Sequence, residues 1–166
     1  MEIAKTVKTF LTREGIGFSE GKSVNNKTHL TETVIHCEIE DCDYNILINE
    51  NGLLSVTGTI IFDQPYMANF IIPKINELNQ SMFCSFYWQR ITPPAEYAND
   101  PTLHVFYCQY DQLCINGITI NEQLVEDIFV EVHKGLEAIA NSLPEDINAV
   151  YYIDPDKIIP DDSLNS

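Results

Sequence analysis

Three features of the chain predict an α+β fold in which N-terminal and C-terminal helices pack on an antiparallel sheet of about five to six strands. Apolar residues recur at helical spacing near both ends of the chain. Three segments between Thr31 and Phe62 alternate with period two, and the strands come in consecutive runs instead of alternating with helices. The expected order is α-β-β-β-α-β-β-(β)-α in a single domain at 1–153, followed by an acidic flexible tail at 154–166.

Each element has its own signature. Ile3, Val7, Phe10 and Leu11 form a helical apolar stripe with Gly15 in a C-cap position, which predicts a first helix over 2–14. A polar stretch from Ser19 to Thr31 follows. Ile35, Cys37 and Ile39 then share one strand face opposite His36, Glu38 and Glu40; Tyr44, Ile46 and Ile48 form the next inward set, and Leu54, Val56, Gly58, Ile60 and Phe62 the third. Asn51-Gly52 predicts a type I′ hairpin between the last two.

A second helix is expected over Tyr66 to Asn79, opened by Asp63-Gln64-Pro65 and kinked or delayed by Pro73. Met82 to Ile91, Leu103 to Tyr110 and a short piece at Leu113 to Ile115 read as strands, with a long loop at 92–101. The strongest helix opens at the capping box Thr119-x-x-Glu122, with Asn121 as a competing cap. It carries Leu124, Ile128, Val132, Leu136, Ile139 and Leu143 inward and stops at Pro144. Val150 to Ile153 is a possible short extended piece, and prolines and aspartates after it resist regular structure.

Composition excludes several function classes. The 166 residues carry 9 Lys+Arg against 25 Asp+Glu, a formal charge of -16. Phosphate backbones and anionic membrane surfaces both need clustered cations, so neither nucleic acid nor membrane is an expected partner. The charge is uneven: residues 1–27 hold five cations against three carboxylates, leaving four against 22 for the remainder. The acidic excess solubilises the protein and tilts it towards a basic partner segment. The N-terminus lacks the apolar stretch of a signal peptide, and the five cysteines are dispersed on apolar segments, so a cytoplasmic location is expected.

The opening helix ending at Gly15, the meander closing at Phe62, and Lys74-Ile75-Asn76-Glu77-Leu78-Asn79 followed by the aromatic stretch Phe83 to Trp88 together resemble the YbjN-type domain. Through it they resemble the wider fold of type III secretion chaperones. That resemblance, from about residue 1 to 153, implies a non-enzymatic and usually dimeric domain that binds another protein, among chaperones and regulators. It carries over no catalytic residue. The chain departs from the family pattern at Pro73 and in the long loop at 92–101.

No chemistry-bearing constellation stands out. Cys37 with Cys42, and Cys108 with Cys114, are too widely spaced for the paired thiolates of a structural zinc site. Asp41-x-Asp43-x-Asn45 opens like a calcium loop, but Ile46 stands at the turn glycine and Gly52 at the bidentate glutamate, so a polar turn is expected there. His104 and Cys108 are roughly 13 Å apart along one strand, too far for proton transfer. His133 is expected to be solvated. Gly15-x-Gly17 lacks the third glycine of a phosphate loop, and no cofactor is expected.

Aromatics are the remaining concentration. Phe83, Phe86, Trp88, Phe106, Tyr107 and Tyr110 form the expected protein-binding surface, on two neighbouring strands where both parities are apolar. Helix 2, a second subunit in a homodimer, or a bound polypeptide would cover the second face. The function read from these features is a non-enzymatic protein-binding domain, chaperone-like or regulatory. The alternative is a small-ligand module or enzyme with a pocket around Trp88, His104 and Tyr107.

Overall fold

The computed structural model describes residues 2–62, 68–92, 103–114, 119–142 and 159–160. Their elements run α1 (Glu2–Arg13), β1 (Phe18–Val24), β2 (Thr31–Ile39), β3 (Cys42–Asn49), β4 (Leu53–Phe62), α2 (Ala68–Ser81), β5 (Ser85–Thr92), β6 (Leu103–Leu113), α3 (Glu122–Ala140) and β7 (Ile159–Pro160). The strands pair in the order β1-β2-β3-β4-β6-β5-β7. This is an α+β fold with N- and C-terminal helices on an antiparallel sheet of six full strands and the two-residue β7. The chain divides into two compact units, Met1–Gly58 with Gln109–Lys134 and Thr59–Cys108 with Gly135–Ser166.

In the first unit, α1 buries Val7, Phe10 and Leu11 and stops for a visible reason. Gly15 takes φ 70°, its amide donates to Thr12 O at 3.1 Å and that of Ile16 to Leu11 O at 2.9 Å. These two bonds are the Schellman pair that satisfies the last carbonyls of a helix. Strand β1 adds an element that the expected order lacked: its seven residues, most of them in the polar stretch, pair with β2 from Phe18↔Cys37 to Val24↔Thr31. All seven are exposed, so no apolar alternation announced the strand.

The hairpin turns also differ from expectation. Glu40 and Asp41, between β2 and β3, both have positive φ (51° and 62°), as a type I′ turn requires. At the β3–β4 turn only Gly52 does, at 84°. There the amide of Gly52 donates to Asn49 O, while the Asn49 side-chain oxygen accepts from the amides of Asn51 and Leu53, each at 3.0 Å. This is a three-residue loop closed by a left-handed glycine. Ile35, Tyr44, Ile46, Ile48, Leu54 and Val56 of the strands and Val125, Ile128, Phe129 and Val132 of α3 are buried core residues, with the Tyr44 and Phe129 rings 5.5 Å apart. Asn121 proves to be the cap of α3, accepting the Leu124 amide at 2.8 Å.

In the second unit, α2 runs on through Pro73, the sixth residue of the helix, where only the bond to the Asn69 carbonyl is forfeited. Its start signal at 63–65 lies outside the described residues, as do 93–101 of the expected loop, Leu143, Pro144 and 150–153, while Thr92 ends β5. Ile71, Ile75 and Leu78 are buried with Phe86, Phe106, Cys108, Leu136 and Ile139. On the other face of β5 and β6, Ile61, Ile91 and Val105 cluster with Tyr107. β6 is one strand to Leu113, so Leu113 of the expected short piece at 113–115 is its last residue and Cys114 lies past its end. In the region expected to be an unpaired tail, Ile159 and Pro160 pair with Thr92 and Ile91; the rest of 154–166 lies outside the described residues.

Candidate functional site

The expected binding surface is divided by the pleat of the sheet. Trp88 stacks on His104 and Phe106, with ring centroids 5.6 and 6.4 Å apart, whereas Tyr87 stacks on Tyr107 at 4.7 Å. Alternation along β5 and β6 puts these sets on opposite faces. Phe86 and Phe106 are core residues and offer a partner no surface; Trp88, Tyr107 and Tyr110 are half-buried; Phe83, in the bend before β5, is 88% exposed. Trp88 and His104 share a face and Tyr107 takes the other, so the three do not line one pocket.

Their chemistry is that of packing. Burial pushes the Tyr107 hydroxyl up to about 12, with Tyr87 adding to it, and that hydroxyl donates to Gln89 Oε1 at 3.5 Å. His104 is buried; burial and then the Arg90 charge lower its pKa, which favours the neutral imidazole. Its Nδ1 has no hydrogen-bond partner among the described residues.

The cysteines are likewise quiet. Cys37, Cys84 and Cys108 are buried, and burial pushes the Cys37 thiol up to about 12, with Asp43 contributing. Cys42 and Cys114 are half-buried and also raised, chiefly by burial. Nucleophilic chemistry requires the opposite shift. Among the described residues no three His, Cys, Asp or Glu side chains gather as a metal would require. Nor, among them, is any helix long and apolar enough to cross a membrane.

A recess lies elsewhere, within the first unit. An open groove of about 400 Å³ runs between the C-terminal half of α1, the β2–β3 turn and the middle of α3. Phe10 and Tyr44 both pack on Phe129, at 5.4 and 5.5 Å between ring centroids, and Ile16, Ile39 and Val130 extend this apolar floor. Glu14, Glu40 and Glu126 stand at the rim, together with Lys134, which pairs with Glu131 at 2.8 Å. Helical spacing places Glu126, Phe129, Val130 and His133 on one side of α3.

His133, expected to be solvated, is tied into this wall. The Tyr44 hydroxyl and His133 Nδ1 are 3.1 Å apart, and His133 Nε2 lies 3.4 Å from a Glu40 carboxylate oxygen. With Nε2 carrying its proton towards Glu40, Nδ1 accepts from the tyrosine. Arg13 balances part of the rim, bonding Glu14 and Glu122 at 2.7 Å and Glu126 at 3.3 Å while its guanidinium lies 5.5 Å from the centre of the Phe10 ring. Lys8 is paired with Glu20 at 2.8 Å. Two of the N-terminal cations are thus spent on internal acids, and the Glu40 carboxylate stays largely exposed.

The chain matches no protein-family model, no curated protein and no solved structure. The site therefore rests on its own geometry. An apolar floor with a carboxylate rim can seat an apolar side chain while holding flanking cations. Sequence reasoning had placed Phe10, Ile39 and Tyr44 on apolar faces one element at a time. No local signal marks them as neighbours around an opening.

Proposed function

We propose that this protein is a non-enzymatic protein-binding domain of the YbjN type, chaperone-like or regulatory, acting in the cytoplasm as a homodimer. The observation that carries the reading is the groove over Phe10, Tyr44 and Phe129, rimmed by Glu14, Glu40 and Glu126. Its partner is a polypeptide segment with an apolar or aromatic anchor between basic residues, because the rim and the chain charge of -16 both attract cations. The resemblance of the 74–79 signature and the aromatic strand after it points the same way. Nucleic acid and anionic membranes are disfavoured by the same charge.

A panel of labelled peptides, each with a Phe or Leu anchor flanked either by lysines or by glutamates, tests this reading by fluorescence anisotropy. The lysine-flanked set binds, more weakly as salt rises. Val130→Arg, at a 44% exposed position on the groove floor, abolishes that binding while leaving the circular dichroism spectrum unchanged. Equal affinity for both sets, or an indifferent Val130→Arg, refutes it.

A further inference from the structure

Among the described residues, strand β1 is one edge of the sheet, paired only with β2 and exposed along its length. Open edges are ordinarily protected from pairing by short length, bulges, proline or charge. β1 has seven residues in unbroken register with β2 and contains no proline. Its sequence is Phe18-Ser19-Glu20-Gly21-Lys22-Ser23-Val24. Set antiparallel to a copy of itself about Gly21, Phe18 falls opposite Val24, Ser19 opposite Ser23 and Glu20, which also holds Lys8 of its own chain at 2.8 Å, opposite Lys22, and each of these matches occurs twice. Such self-complementarity is what a two-fold interface demands, since residue i meets j and j meets i. Phe18 and Val24 are among the exposed large apolar residues, at 37% and 60%.

Gly21 supplies an independent observation. Its φ is not in the left-handed region, and a β-carbon there would meet nothing within 4 Å. The folded chain therefore has no use for a glycine that weakens a strand interior, whereas close approach of another backbone would. The hydrogen-bond phase agrees. The Asn25 amide donates to Leu30 O at 3.0 Å, so by antiparallel alternation Ser19, Gly21 and Ser23 turn their main-chain groups towards β2. Those of Phe18, Glu20, Lys22 and Val24 point out from the edge. In the self-pair these four make about eight main-chain hydrogen bonds, and Gly21 meets its copy at the non-hydrogen-bonded position, where Cα atoms come closest.

We infer that two copies of this chain associate through antiparallel β1–β1 pairing centred on Gly21, joining their sheets edge to edge. This rests on the homodimer reading above and gives it a geometry, independent of what the groove binds. The test is sedimentation velocity on the full chain at micromolar concentration, with Glu20→Lys, Lys22→Glu and an equimolar mixture of the two variants. The wild type dimerises. Each single variant opposes like charges at two places and dimerises at least about tenfold more weakly, and the mixture restores dimers by pairing the lysine-only strand with the glutamate-only one. Single variants that dimerise like the wild type overturn the β1 geometry while leaving a homodimer through another surface. Loss without rescue in the mixture overturns the register about Gly21, and a monomeric wild type overturns both the geometry and the homodimer.

Discussion

Gly135 of α3 lies so close to Cys108 Sγ on β6 that a β-carbon at 135 would collide with the sulfur, and with the Phe86 ring at 3.0 Å. Replacing an interior helix glycine by alanine ordinarily stabilises by about 1 kcal/mol. Here the sign reverses. Gly135→Ala is expected to destabilise by about 1–3 kcal/mol through overpacking, measured by urea unfolding. Because both the sulfur and the ring close the space, Cys108→Ala in the same chain recovers only part of the loss.

Asn79 joins α2 to β5 as a side-chain imitation of strand pairing. Its Nδ2 donates to Phe86 O at 2.9 Å, and its Oδ1 accepts from the Phe86 amide at 2.6 Å. Asn79→Ala removes both bonds and is expected to cost about 1–3 kcal/mol. Asn79→Asp keeps the acceptor but has no donor for the carbonyl, so it recovers little, and denaturant midpoints of the two variants should fall together below the wild type.

At the groove, Tyr44→Phe keeps the ring against Phe129 but takes the hydroxyl from His133 Nδ1. A loss of about 1 kcal/mol is expected, as for one part-buried hydrogen bond. Nitrogen-15 spectra of the imidazole would report the change directly, through a shifted Nδ1 resonance. An unchanged resonance would mean that the bond does not form in solution.

Stability should fall on both sides of neutrality. Cys37 is raised from 9.0 to about 12 and Tyr107 from 10.0 to about 12, so the folded state holds protons that the unfolded chain releases. Their stabilisation is complete below pH 9 and is lost as the pH rises towards 12. His104 is lowered from 6.5, so its contribution is present above that pH and is lost as the pH falls through its folded value. Thermal melts across pH 5–11 check both arms, and Cys37→Ala should flatten the alkaline one.

Much of the fold was legible because hydrophobic periodicity is a local property. Val7 and Phe10 of α1, Ile46 and Ile48 of β3, and Val132 and Leu136 of α3 are buried as their spacing requires. β1 was illegible because neither of its faces is buried, so its pairing with β2 writes no apolar pattern. A polar turn was expected from Asp41 onwards, but its tight left-handed form at Glu40-Asp41 was not legible, because neither is the asparagine or glycine that usually marks such a turn, and Asp43 and Asn45 belong to β3.

By itself the sequence determined the fold class, the two amphipathic helices, the β2–β4 meander and the acidic excess, all of which depend on neighbours in the chain and on composition. Tertiary structure alone decided which aromatics are available. Phe86 and Trp88 share a strand face by alternation, yet packing leaves the first in the core and the second half-buried. It also decided that Phe10, Tyr44 and Phe129 line an opening, that Arg13 is committed to Glu122 and Glu126, and that Gly21 stands at one edge of the described sheet. Each of these depends on residues from distant elements meeting in space, and periodicity along a single element carries no record of that meeting.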